Sequence, residues 1–178
     1  MAASCKPRWN NSCMDQEIDL ARAAFIDAHG RLQTALGRRH MLTWYAALAE
    51  TLWWIVALDD HYRQLGKARY ESYRDDDPRG CVLPGLRFAR NKVGHQLTLL
   101  VTDPDGGSVH QPSDPGGVRL DQLVWRESGQ FPAPGDPQHP QRHCYDRRLA
   151  NNAVRYAIRD ANYFFVRHHT ELEDALAL

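Results

Sequence analysis

Lysine is nearly missing from this chain. Lys6, Lys67 and Lys92 are its only copies beside 19 arginines in 178 residues, yet positive and negative side chains balance to a net charge of zero. We read the arginine bias as genome base composition rather than selection for phosphate binding, because the total charge is even. With no global basic field, contact with RNA or DNA has to be local. Cysteine is also sparse. Cys5, Cys13, Cys81 and Cys144 include no pair at zinc-knuckle spacing and suggest no secreted disulfide framework. No charged-then-apolar leader opens the sequence, so the expected compartment is the cytoplasm. The one long apolar run, residues 41–58, carries Thr43, Glu50 and Thr51 and ends on Asp59-Asp60. A membrane span needs about 20 apolar residues with few charges, so we read this run as a buried central helix. No repeat or low-complexity stretch is present.

What remains is helical periodicity. The length suits one domain over residues 1–178 with a core of its own. Ile18, Ala21, Phe25, Ala28 and Leu32 recur at three- and four-residue steps and predict a helix over 15–36, with Gly37 as its break. A second helix is expected over 39–65, stopping near Gly66, with 67–73 extending it or forming a short helix. The run from Asp75 to Gly80 reads as a turn, since the residue before Pro78 avoids helical geometry. A third helix should start near Pro84 and reach about Val101. Residues 102–140 form a proline- and glycine-rich irregular insertion, leaning acidic, with one strand-like piece over 118–125. The last helix is expected over 145–169. It has one stripe through Leu149, Ala153, Tyr156 and Asp160 and another through Val154, Ile158, Ala161 and Phe165, so that it packs on two sides. The predicted fold is an all-α bundle of four or five helices.

The segment Arg90-Asn91-Lys92-Val93-Gly94-His95 sets a permanent cation, an amide and a titratable imidazole within about one and a half helical turns. An arginine holds phosphate oxygens through paired hydrogen bonds, and a histidine moves protons near neutral pH. The Arg-x4-His spacing is expected about once by chance among 19 arginines, but asparagine directly after the arginine lowers that to about three in a hundred. On a helix, Leu86, Ala89, Val93, Leu97 and Leu100 share one apolar stripe. Arg87, Asn91 and His95 line the opposite side, and Arg90 lies about 140° from His95. The imidazole therefore faces away from its own core, beside Gly94, which leaves room for a close approach. Arg87 and Arg90 sit near the helix start, where a bound phosphate would meet both the dipole and the arginines.

The pattern Arg90-Asn91-x3-His95, on a late helix of a small helical bundle, resembles the signature of the HEPN superfamily. The likeness covers this hexapeptide and, more loosely, the helical organisation of residues 15–170. It implies a HEPN-like bundle and a metal-independent endoribonuclease of the toxin, phage-defence or RNA-processing kind, with no cofactor. The partners it implies are an RNA substrate, a second copy completing a composite site, and an antitoxin in the toxin branch, with no membrane. By this resemblance His95 is the acid/base group, Arg90 binds the scissile phosphate, Asn91 orients the histidine or a phosphate oxygen, and Arg87 supports substrate binding. The RNA 2′-hydroxyl attacks and leaves a 2′,3′-cyclic phosphate. In one toxin branch a tyrosine follows the histidine by two residues as a modification target. Leu97 stands there.

Two other functional classes are open in the sequence. A catalytically silent HEPN-like binding or regulatory module keeps the same polar face for a partner. A metal-dependent phosphohydrolase would place Mg²⁺ on Asp59 and Asp60, with the Asp75–Asp77 run and His61 nearby; a helix end followed by an aspartate-rich turn accounts for these residues as well. Glu50, the lone acid of an apolar helix, is expected to be buried and paired with an arginine of a neighbouring helix. His139, His143 and Cys144 lack a second ligand pair for zinc. His168-His169 reads as a solvated helix end, and the tryptophans of the second helix read as core.

Overall fold

The computed structural model describes residues 11–36, 41–96, 100–102, 123–167 and 169–171. Five α-helices dominate them: α1 Asn11–Leu36, α2 Met41–Asp76, α3 Leu83–Gln96, α4 Pro140–Arg148 and α5 Val154–Arg167. An antiparallel pair, β1 Val101–Thr102 and β2 Val124–Trp125, joins Val101 to Trp125 and Thr102 to Val124. The fold is all-α with a minimal sheet. No helix among the described residues is long and apolar enough to cross a membrane.

The α1 stripe behaves as its spacing predicts: Ile18, Phe25, Ala28 and Leu32 are all buried, and α1 packs chiefly on α2. Helix α2 is covered by α1 on one side and α3 on another. Leu48, Leu52, Ile55 and Leu58 are enclosed, while Trp53 keeps 50% of its surface exposed. The expectation that the tryptophans are core therefore holds for Trp44 and is corrected at Trp53, which faces outward in an edge-on pair with Trp54.

Gly66 breaks the helical path of α2, as expected: it takes a non-helical, extended conformation, and a second helical segment follows across the kink and reaches Asp76, beyond the expected 73. Contacts across the kink hold the halves together: Arg63 donates twice to Glu71, and Tyr70 donates to Asp59. Rings complete the join. Tyr62 stacks on Tyr70 and on Phe165, and Phe165 meets Phe25 edge-on, tying α1, α2 and α5 into one aromatic spine. Each of these buried rings contributes roughly 1.5–3 kcal/mol by burial.

The third and last helices differ from their sequence reading. Helix α3 ends at Gln96, and Val101, expected at its tail, lies in β1 opposite Trp125. The expected helix over 145–169 is two helices, with α4 starting earlier at Pro140, capped by the His139 side chain, which accepts from the Gln141 backbone. They meet at a corner where Asn151 takes a positive φ of 62°, a conformation asparagine tolerates better than most residues. Strand β2 fastens this corner: Asn151 N donates to Trp125 O, Trp125 N to Asn152 O, and Val154 N to Leu123 O. Only the second stripe is a core face, with Val154, Ile158, Ala161 and Phe165 buried and Tyr156 exposed. Of the insertion, residues 103–122 lie outside the described residues, as do Gly37, Arg39, Leu97 and His168.

Candidate functional site

Helix α3 is held on two flanks. Leu83, Leu86 and Ala89 are buried in the core, and Phe88 meets Tyr145 of α4 with ring centroids 5.2 Å apart. Gly85 permits α4 to come close. A Cβ there would stand 3.1 Å from the Tyr145 backbone and 2.9 Å from Leu149 Cδ1. Lys92 is only 7% exposed. It donates to the Ala133 carbonyl and lies 5.1 Å from the centre of the Phe88 ring. Burial, with Arg142 nearby, lowers its pKa.

Against this fixed background the motif residues fall on the open flank. Arg90 is partly buried, and its Nη1 donates to Asn91 Oδ1 at 3.0 Å. Its Nε is shut away from solvent without a hydrogen-bond partner, and no carboxylate pairs with it among the described residues. Asn91 is half-buried, while Gly94 and His95 are exposed. A Cβ added at Gly94 would meet nothing within 4 Å. Arg90 and Asn91 are thus coupled side by side, and His95 stands one helical turn beyond Asn91 over bare backbone.

Arg87 is in a different state. It reaches across to α2, donates through Nε to Asp59 Oδ2 at 3.1 Å, pairs with that oxygen through Nη2 as well, and meets Asp60 at 2.7 Å. Asp59 is 1% exposed and shared. Arg74 pairs with its other oxygen at 3.5 Å, and the Tyr70 hydroxyl donates to it at 2.9 Å. Burial pulls the Arg87 pKa down, but its bonds to Asp60 and Asp59 outweigh that and leave it raised. Burial, then the neighbouring Asp59 charge, push the Tyr70 phenol well up. The two α2 aspartates are therefore arginine ligands. Among the described residues no three His, Cys, Asp or Glu side chains group as a metal site.

The remaining candidates find ordinary partners. Glu50 pairs with Arg31 of α1 at 2.6 Å, but both side chains are largely exposed, which corrects the expected burial. The Cys144 thiol donates to Cys81 O, and burial pushes its pKa up to about 11. Tyr62 and His169 share a 2.8 Å hydrogen bond, so His169 is tied into the bundle rather than solvated. Sequence reasoning missed Arg74 and Tyr70 as partners of Asp59. Their separations of fifteen and eleven residues, bridged only because α2 kinks at Gly66, hid the contacts.

Comparison with protein-family models, curated proteins and solved structures returned no match.

Proposed function

We propose that this protein is a metal-independent endoribonuclease of HEPN type, working as a homodimer in which two copies of Arg90, Asn91 and His95 line one cleft. The observation that carries the proposal is the state of Arg90: partly buried, steadied by Asn91, and without a counter-ion among the described residues. A guanidinium partly withdrawn from water, with its Nε unpartnered, lacks an acceptor that a phosphate oxygen would supply. Arg87, one turn away, has its carboxylates already. Exposed His95 beside bare Gly94 supports the same reading, since a strand of RNA can approach there without displacing a side chain.

In this mechanism the 2′-oxygen attacks phosphorus while the bond to the 5′-oxygen breaks. One His95 takes the 2′-proton, and the second copy's His95 returns a proton to the departing 5′-oxygen. The products are a 2′,3′-cyclic phosphate and a free 5′-hydroxyl. Arg90 stabilises the charge that builds on the non-bridging oxygens. The test is incubation with single-stranded RNA in excess chelator. Expected are cyclic-phosphate ends, no cut in DNA of the same sequence, and loss of at least a hundredfold in rate for His95→Ala at unchanged helicity. Cleavage that requires Mg²⁺, or that survives His95→Ala, overturns the proposal.

A second reading is a catalytically silent binding module. What favours it is that no hydrogen bond orients His95 among the described residues. On that reading the wild type leaves every RNA intact, and Arg90→Ala weakens assembly with a partner protein.

A further inference from the structure

We infer that the cleft between α2, α3 and α4 is a second anchoring site for the RNA backbone, about two nucleotides from the scissile phosphate. The inference rests on the ribonuclease reading for its substrate, and on its own residues for the site. Arg63, Arg74, Arg87, His143, Arg147 and Arg148 line a cavity of about 360 Å³, at the lower end of the range small ligand sites occupy.

The walls are positioned from behind. Asp59 holds Arg74 and Arg87 as described, and Glu71 takes two hydrogen bonds from Arg63 at 3.0 and 2.7 Å. Asp75 holds Arg74 at 2.8 Å. These acids set guanidinium directions without neutralising the cleft. Among the described residues its five guanidiniums outnumber the four carboxylates that touch them, Asp59, Asp60, Glu71 and Asp75. Arg147 and Arg148, exposed at the end of α4, have no acid partner among the described residues. What the cleft offers a phosphate is therefore these two cations without an acid partner. Paired arginines converging on a concavity suit the bidentate geometry of phosphate.

The cleft also lies in line with the motif. Arg87, Asn91 and His95 follow at four-residue steps on one flank of α3, each step about 6 Å along the axis. A strand lying along that flank with its scissile phosphate at His95 brings the phosphate about two nucleotides along to the level of Arg87, about 12 Å from His95 along the axis. There Arg147 and Arg148, which line the same cleft from α4, are the cations without an acid partner among the described residues.

The test separates binding from cutting. Equilibrium binding of a fluorescent single-stranded RNA is measured by anisotropy over a salt series, with His95→Ala as the parent to prevent turnover. Adding Arg147→Ala and Arg148→Ala, two exposed positions without ion pairs to lose, should weaken binding about tenfold. It should also reduce the slope of log K against log salt by about 1.4, since each lost phosphate contact on a single strand removes about 0.7. In the His95-intact enzyme the same pair should raise KM and spare kcat. Unchanged affinity and slope overturn the cleft, as does a mononucleotide that binds there while RNA does not. If RNA binds in this arginine-dependent way and is never cut, the ribonuclease reading fails and the cleft stands. If RNA is cut with unaltered KM in the double variant, the cleft fails and the ribonuclease reading stands.

Discussion

Asp59→Asn is the substitution that tests most of the reasoning about this site. It keeps the shape and one acceptor for the Tyr70 hydroxyl, and it removes the charge shared by Arg74 and Arg87. All three groups are shielded: the Asp59 side chain is 1% exposed, and those of Arg74 and Arg87 are 10% and 14%. Breaking a buried pair by removing one member costs about 3–5 kcal/mol, because the remaining charge stays buried. Here each arginine retains a second, rim carboxylate, Asp75 or Asp60. The lower bound, about 3 kcal/mol, is therefore the expected loss. In a protein of this size that corresponds to a fall in Tm of about 6–12 °C. Urea unfolding monitored by circular dichroism measures it. The exposed pair supplies the control: Glu50→Gln, which breaks only its bond to Arg31, should cost under about 1 kcal/mol. A cycle with Arg87→Gln should show the Asp59 and Arg87 losses falling short of additivity by more than about 1 kcal/mol. An Asp59→Asn protein within about 1 kcal/mol of wild type, or an additive cycle, refutes the buried-network argument.

Three further outcomes follow from other parts of the fold. Gly85→Ala should destabilise by about 1–3 kcal/mol and loosen α4, since its Cβ meets the Tyr145 backbone; thermal unfolding reads the loss, and Gly94→Ala, in open space, should be neutral or stabilising. Alkylation at pH 8 followed by peptide mapping should find Cys144 modified about a hundredfold more slowly than an unperturbed thiol, because its pKa is pushed up to about 11. His29 is half-buried against Phe25 and burial lowers its pKa from 6.5, so the fold prefers its neutral form. Its contribution is fully present above pH 6.5 and is lost as the pH falls through the lowered value; His29→Gln should flatten that acid limb in denaturant titrations from pH 7 to 5.

The elements legible in the sequence are those whose cause is local. The α1 stripe from Ile18 to Leu32 needs only helical spacing and one neighbour, and the structure buries it as expected. The outward position of His95 follows from the Leu86–Ala89 core stripe by the same geometry. What escaped depends on contacts between distant residues. The break at Gly66 was legible by propensity, but the Arg63–Glu71 and Tyr70–Asp59 bonds and the Tyr62–Tyr70 stack that hold the two parts of α2 together across it were not. Two out-of-phase stripes on one expected helix, followed through Leu149 and Val154, were the trace of two helices, and Asn151-Asn152 was the break between them. Arg87 belongs to the polar flank of α3, as periodicity indicates, yet its carboxylate partners sit on α2. No spacing rule reveals which outward arginine is already neutralised and which, like Arg90, is not.

The pairing of Val101 with Trp125 closes the chain on itself at a narrow neck, reinforced by the bond from Arg126 N to Leu100 O. Thr102 and Val124, the two ends of the connection, are therefore held side by side. Doubling such a loop costs only about 0.6 kcal/mol in closure entropy, less than burying the Trp125 ring contributes. The neck is thus closed by bonds and burial that belong to its two ends, so a change in the length of the connection is expected to cost less than a change at Trp125 itself.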